Sequence, residues 1–125
     1  MEQALVKYLE SNKDLYNYIE NRIYPGFSKD ISKPSITYRI KRVQEGTLKE
    51  SQLTLILLDK EYDECLEIEN ILIDLLHTMD NKPNIVVNNV AFRGSLSGGG
   101  PLFNVEKQMW EDNLIFIMKW RYVNE

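Results

Sequence analysis

Between Glu111 and Val123 the side chains alternate, and both sides of the alternation carry apolar residues. Leu114, Phe116, Met118, Trp120 and Tyr122 point one way, and Ile115, Ile117, Lys119 and Arg121 point the other. A period of two is the mark of a strand. A strand that is apolar on both sides belongs to a sheet whose second face is either covered or left adhesive.

Other segments repeat the theme. Ile36, Tyr38 and Ile40 alternate with Thr37, Arg39 and Lys41, and Leu53, Leu55 and Leu57 mark the next strand, with Ile56 and Leu58 on its other side. The polar connection Gln44–Glu50, containing Gly46, makes the two a hairpin. Ile85–Arg93 is a less regular strand, and residues 94–101, Gly-Ser-Leu-Ser-Gly-Gly-Gly-Pro, have the composition of a flexible loop.

Three helices complete the pattern. Residues 2–10 place Ala4, Leu5, Tyr8 and Leu9 on one face. Ser11, with Asp14 three residues on, suits the cap of a second short helix carrying Leu15, Tyr18, Ile19 and Ile23, stopped by Tyr24-Pro25-Gly26. Residues 27–34 then form a loop closed by Pro34. The clearest helix is Glu61–Met79, with Cys65, Ile68, Leu72, Leu75, Leu76 and Met79 in one stripe, Asp59 as its cap and Asp80-Asn81-Lys82-Pro83 as its stop.

The expected fold is therefore α+β. An antiparallel-rich four-stranded sheet (ββαββ) carries one long helix packed on a face and two short N-terminal helices, all in a single domain, residues 1–125. The face away from the long helix would bear Arg39, Lys41, Ile56, Leu58, Ile115, Ile117, Lys119 and Arg121. That set is too apolar for plain solvent surface and too basic for core. Either the N-terminal helices cover part of it or another subunit does.

Signs of chemistry are scarce. The 125 residues carry a net charge of −4, against the broad attraction to phosphate that non-specific nucleic-acid binding needs. The single cysteine, Cys65, excludes an internal disulfide and sits on the apolar stripe among acids, which disfavours a thiolate. His77, the single histidine, falls near a helix C-terminus, where it reads as a polar or cationic end group. Six acids, Glu61, Asp63, Glu64, Glu67, Glu69 and Asp74, spread over what reads as a solvated arc of the long helix, with an electrostatic contact to a neighbour as the other reading. The glycine loop lacks the Lys-Ser/Thr pair of a phosphate loop, with no lysine until Lys107. Trp110, Phe116, Trp120 and Tyr122 could suggest base stacking, but Phe116, Trp120 and Tyr122 share the core side. No catalytic, cofactor-binding or metal-binding residue is expected, and no cofactor. No apolar run of 18 residues and no leader-like N-terminus are present, so no membrane contact and folding in the cytoplasm are expected.

The order of elements resembles the tail-completion, or tail-terminator, proteins of long-tailed phages and prophages over nearly the whole length. The marks are Asn21-Arg22-Ile23-Tyr24-Pro25 closing a helical pair, and Pro34-Ser35-Ile36-Thr37-Tyr38 opening a strand. The Leu53–Leu58 strand runs into an acidic helix, and a glycine-containing loop precedes the last strand, Leu114–Tyr122. The glycine run departs in length from many relatives.

The resemblance implies a non-catalytic ring, usually six-fold, at the head–tail junction of the virion. It is assembled in the bacterial host cytoplasm and caps the tail tube protein beneath a head-side connector. DNA passes through the lumen without specific binding. A ring uses two different patches of each subunit. The expected pairing sets Glu64, Glu67 or Asp74 of one copy near Arg39, Lys41, Lys119 or Arg121 of the next, with Ile115 and Ile117 supplying affinity. Gln44, Glu45, Gly46 and Lys49, and Gly98, Gly99 and Gly100, are the candidate loops for tube or connector. Two alternatives stand beside this: another adaptor at the same junction, such as a head-completion protein, and a dimeric small-ligand-binding α+β domain of a bacterial regulator or accessory protein.

Overall fold

The N-terminal helix α1 (Glu2–Glu10) buries Ala4, Leu5 and Leu9, as its spacing predicts. The structure, a computed structural model, describes residues 1–27, 32–78 and 83–123. Helix α2 (Lys13–Ile19) is capped by Asn12, whose side chain accepts the Leu15 N–H at 2.9 Å. Ser11 does not cap; its hydroxyl donates to the Tyr8 carbonyl. The helix stops at Ile19 because Glu20 takes a φ of 51°, well before the expected Tyr24-Pro25-Gly26 boundary.

Three further corrections turn the expected four strands into seven among the described residues. First, Ile23–Pro25 is not the end of a helix but strand β1, parallel to β2 (Ser35–Gln44) with Ile23 opposite Ile36. Second, the segment from Ile85 is a tight hairpin of β4 (Ile85–Val87) and β5 (Val90–Gly98). Its two turn residues, Asn88 and Asn89, both have positive φ, 49° and 64°, which is what a two-residue hairpin turn demands. Third, the glycine-rich segment is mostly sheet rather than loop, with only Gly99 and Gly100 lying between two strands. β5 pairs with β7 (Met109–Tyr122) from Val90–Tyr122 to Leu96–Phe116. The register then slips by one residue, leaving Ser97 as a bulge. β6 (Pro101–Asn104) keeps the register that Gly98 starts, down to Asn104 opposite Met109.

The remaining strand, β3 (Lys49–Asp59), pairs antiparallel with β2 on one side and β7 on the other. The sheet order is β1-β2-β3-β7-β5-β4, with β6 also on β7. It is mixed, since β1–β2 is parallel.

Helix α3 (Tyr62–Leu76) is shorter than expected, ending at the C-cap residue His77, and Met79 with Asp80–Lys82 lies outside the described residues. Its N-cap residue is Glu61; Asp59 acts from two residues back, accepting the Glu61 N–H at 3.0 Å. Cys65, Ile68, Leu72 and Leu76 pack onto Leu53, Leu55, Leu57, Leu114, Phe116 and Met118 of the sheet. Helices α1 and α2 join this same core. Tyr8 meets Phe92 edge-on at 5.6 Å and donates its hydroxyl to the Leu75 carbonyl, while Tyr38 donates to Glu2. All three helices among the described residues therefore stack on one side of the sheet, and none of them covers the other.

A candidate assembly surface on the helix-free face

The pairing register decides which side chains share the uncovered face, because residues opposite each other on neighbouring strands point the same way. Arg39, Thr54 and Ile115 form one row, and Lys41, Gln52, Ile117 and Ser95 the next. Glu50, Lys119 and Arg93 form a third, and Ala91 with Arg121 ends the set. Six of the eight residues expected on this face are thus brought together on it. Arg39, Lys41, Lys119 and Arg121 are exposed, and Ile115 and Ile117 are half-buried. Ile56 shares the face opposite Thr37, and Leu58 lies at one end beneath a depression rimmed by Phe27, Lys107 and Glu111. Two more shallow depressions run along the face, one between Arg39, Lys41, Gln52 and Thr54, the other between Glu50, Arg93, Ser95, Ile117 and Lys119.

Among the described residues, no acid lies within ion-pair distance of Arg39, Lys41, Lys119 or Arg121; the ion pairs there are Arg22–Glu20, Arg42–Glu45 and Lys49–Glu45. Sequence reasoning missed Arg93. The signal was present, since Val90, Phe92 and Gly94 alternate with Ala91, Arg93 and Ser95 and put Arg93 on the outer side. Its guanidinium donates to the Thr78 carbonyl at 3.2 Å, which ties it down.

The acids of α3 are not brought to the basic face; the sheet stands between them. Nor do all six form a solvated arc. Glu67 is exposed and accepts the Tyr18 hydroxyl, and Asp74 is exposed. Glu64 and Glu69 are half-buried and turn inward, to Asp59 and Asp112. Burial pushes the Asp59 carboxyl up to about 7; Glu64 and Glu61 push the same way, against the Glu61 N–H bond. Burial and then Glu69 push Asp112 up to about 7 as well. The Cys65 thiol, buried beside Asp112, Asp59 and Glu69, is pushed up to about 12, the opposite of a reactive thiolate. Among the described residues, no group of three or more His, Cys, Asp or Glu could hold a metal ion.

His77 closes the sheet edge: its Nδ1 accepts the Leu96 N–H at 3.0 Å, while the neighbouring Thr78 bonds Gly94 through both its amide and its hydroxyl. The hairpin tip Gln44, Glu45 and Gly46 is exposed. Lys49 pairs with Glu45 and lies over the rings of Trp120 and Tyr122, 5.7 Å from each centroid. Gly99 is exposed, and Gly98 and Gly100 are half-buried.

No family model matches the chain, and no curated protein does. Among solved structures, a chain of the virion of a native gene transfer agent (GTA) particle shares the fold with a TM-score of 0.72. The match covers 96% of this chain and 93% of that one, at 8% sequence identity. The two chains thus share an architecture from end to end while sharing few residues.

Proposed function

We propose that this protein is a virion structural subunit of a phage-like particle, and that its copies form a ring that caps the tail tube and joins it to a head-side connector. The observation that carries the reading is the full-length likeness to a chain of the GTA virion, joined to a sheet face that no helix among the described residues covers. Six copies is the ring size proposed. The helix-free face supplies one patch, with Ile115 and Ile117 as the apolar centre and Arg39, Lys41, Lys119 and Arg121 around them. The second patch is the outer side of α3, where Asp74 and Glu67 are exposed. A head-to-tail contact between two unlike patches is the kind that closes into a ring. The polar tip at Gln44, Glu45, Gly46 and Lys49, and the glycines Gly98, Gly99 and Gly100 where β5 gives way to β6, are proposed to face the tube or the connector. DNA would pass without being held.

Electron microscopy of tails assembled with and without the protein tests this reading. Its removal should give tubes of uncontrolled length that fail to join heads. Tubes of normal length that still lack heads would instead favour a different adaptor at the same junction.

A further inference from the structure

Helix α3 lies over a group of carboxyls that meets no basic side chain among the described residues. Asp59, at the end of β3, and Asp112, in β7, are 1% and 0% exposed. Each gives one oxygen to a backbone amide. Asp59 Oδ1 accepts the Glu61 N–H at 3.0 Å, and Asp112 Oδ1 accepts the Gly100 N–H at 3.2 Å. The second oxygen of each, with Oε2 of Glu69, is buried and receives no N–H or other fixed donor. What stands beside Asp59 is the carboxyl of Glu64, and beside Asp112 that of Glu69. The other titratable groups facing the cluster are Glu61 and Cys65, with Tyr18 of α2 reaching Glu67 next to Glu64. Every one is acidic or neutral. Two carboxyls held together away from water do not both ionise; one keeps a proton and donates it to the other.

We infer that the pairs Asp59–Glu64 and Asp112–Glu69 are proton-dependent latches that fasten α3 to β3 and β7, closed while each pair holds one proton and forced apart when both protons leave. The inference concerns the fold of one copy and holds whether or not the ring reading does. Its pH direction is opposite to that of a salt-bridged carboxylate. Both aspartates sit near 7 in the folded chain against an ordinary 3.8, so the folded state binds more protons than the unfolded one. Their contribution to stability is fully present below the ordinary value and is lost as pH rises toward 7.

The test is the double variant Asp59→Asn/Asp112→Asn. Each amide oxygen can still accept the backbone N–H, and each amide nitrogen donates to the facing glutamate at every pH. Urea unfolding is followed through Trp110, which Tyr62 of α3 touches at 4.6 Å between centroids. Between about pH 5 and about pH 8 the wild-type unfolding constant should rise by roughly tenfold or more, the factor carried by one pKa unit of differential proton binding. The variant should rise much less and be the more stable protein at the alkaline end. A variant that follows the wild-type curve, or is the less stable one there, overturns the latch. Should that variant fail to fold, Glu64→Gln/Glu69→Gln places the permanent donors on α3 instead, and the same two outcomes decide.

Discussion

Gly99 sits where no side chain fits. Its φ is 155°, and a Cβ there would lie 2.6 Å from the Asn113 carbonyl oxygen and 2.7 Å from a methyl of Leu114. Gly99→Ala should therefore cost roughly 1–3 kcal/mol through strain and overpacking, read as a lower urea midpoint. Ala at Gly100, where the backbone is similar but the space is open, should cost less. The sequence could not reveal this, because a glycine run has one composition whether it is a free linker or backbone pressed against a neighbouring strand. Asp112 was more legible. It shares parity with Leu114 and Phe116, so the alternation that places those residues inward places the carboxyl inward too. What parity alone could not supply was the partner, since Glu69 arrives from another element and only the packing of α3 brings it there.

Elements with a strong period were readable and elements of three or four residues were not. The alternation in β2, β3 and β7 is sustained, and α3 carries a continuous stripe, so their existence followed from the residues. Strands β1 and β4 span three residues each, too short for a period to declare itself. The β4–β5 turn did carry a signal, Asn88-Asn89 between apolar residues, which a single strand from Ile85 to Arg93 overrides. The α2 cap offers a clean check at this scale. Asn12→Ala removes the acceptor of the Leu15 N–H and should cost about 1 kcal/mol, with the loss confined to the α1–α2 region in amide exchange. Ser11→Ala, which removes only an exposed bond to Tyr8, should cost less.

For the molecule as a whole, the placement of every helix on one side of the sheet has the largest consequence. The residues of the adhesive face were legible as a set from alternation, but whether the N-terminal helices covered them was not, because amphipathic helices carry no label for the side on which they land. On the ring reading, Lys119→Glu/Arg121→Glu should leave the circular dichroism spectrum and urea midpoint within about 0.5 kcal/mol of wild type, as exposed substitutions do, while abolishing assembly onto tail tubes. Ring formation by that variant would exclude these two residues from the contact. Ile115→Ser/Ile117→Ser should weaken assembly with less dependence on ionic strength, since burial rather than charge is removed.

Among the described residues, the strand at the centre of the sheet comes after the other six in chain order. β7 inserts between β3 on one side and β5 followed by β6 on the other, and contributes Leu114, Phe116 and Met118 to the core. A nascent chain that has reached Asn104 has all three helices and six strands in hand, yet β3 has no neighbour on one side and α3 nothing complete to rest on. Helical turns can form during translation, but the cooperative step waits for residues 109–122, and a chain cut short before them is left with two bare sheet edges.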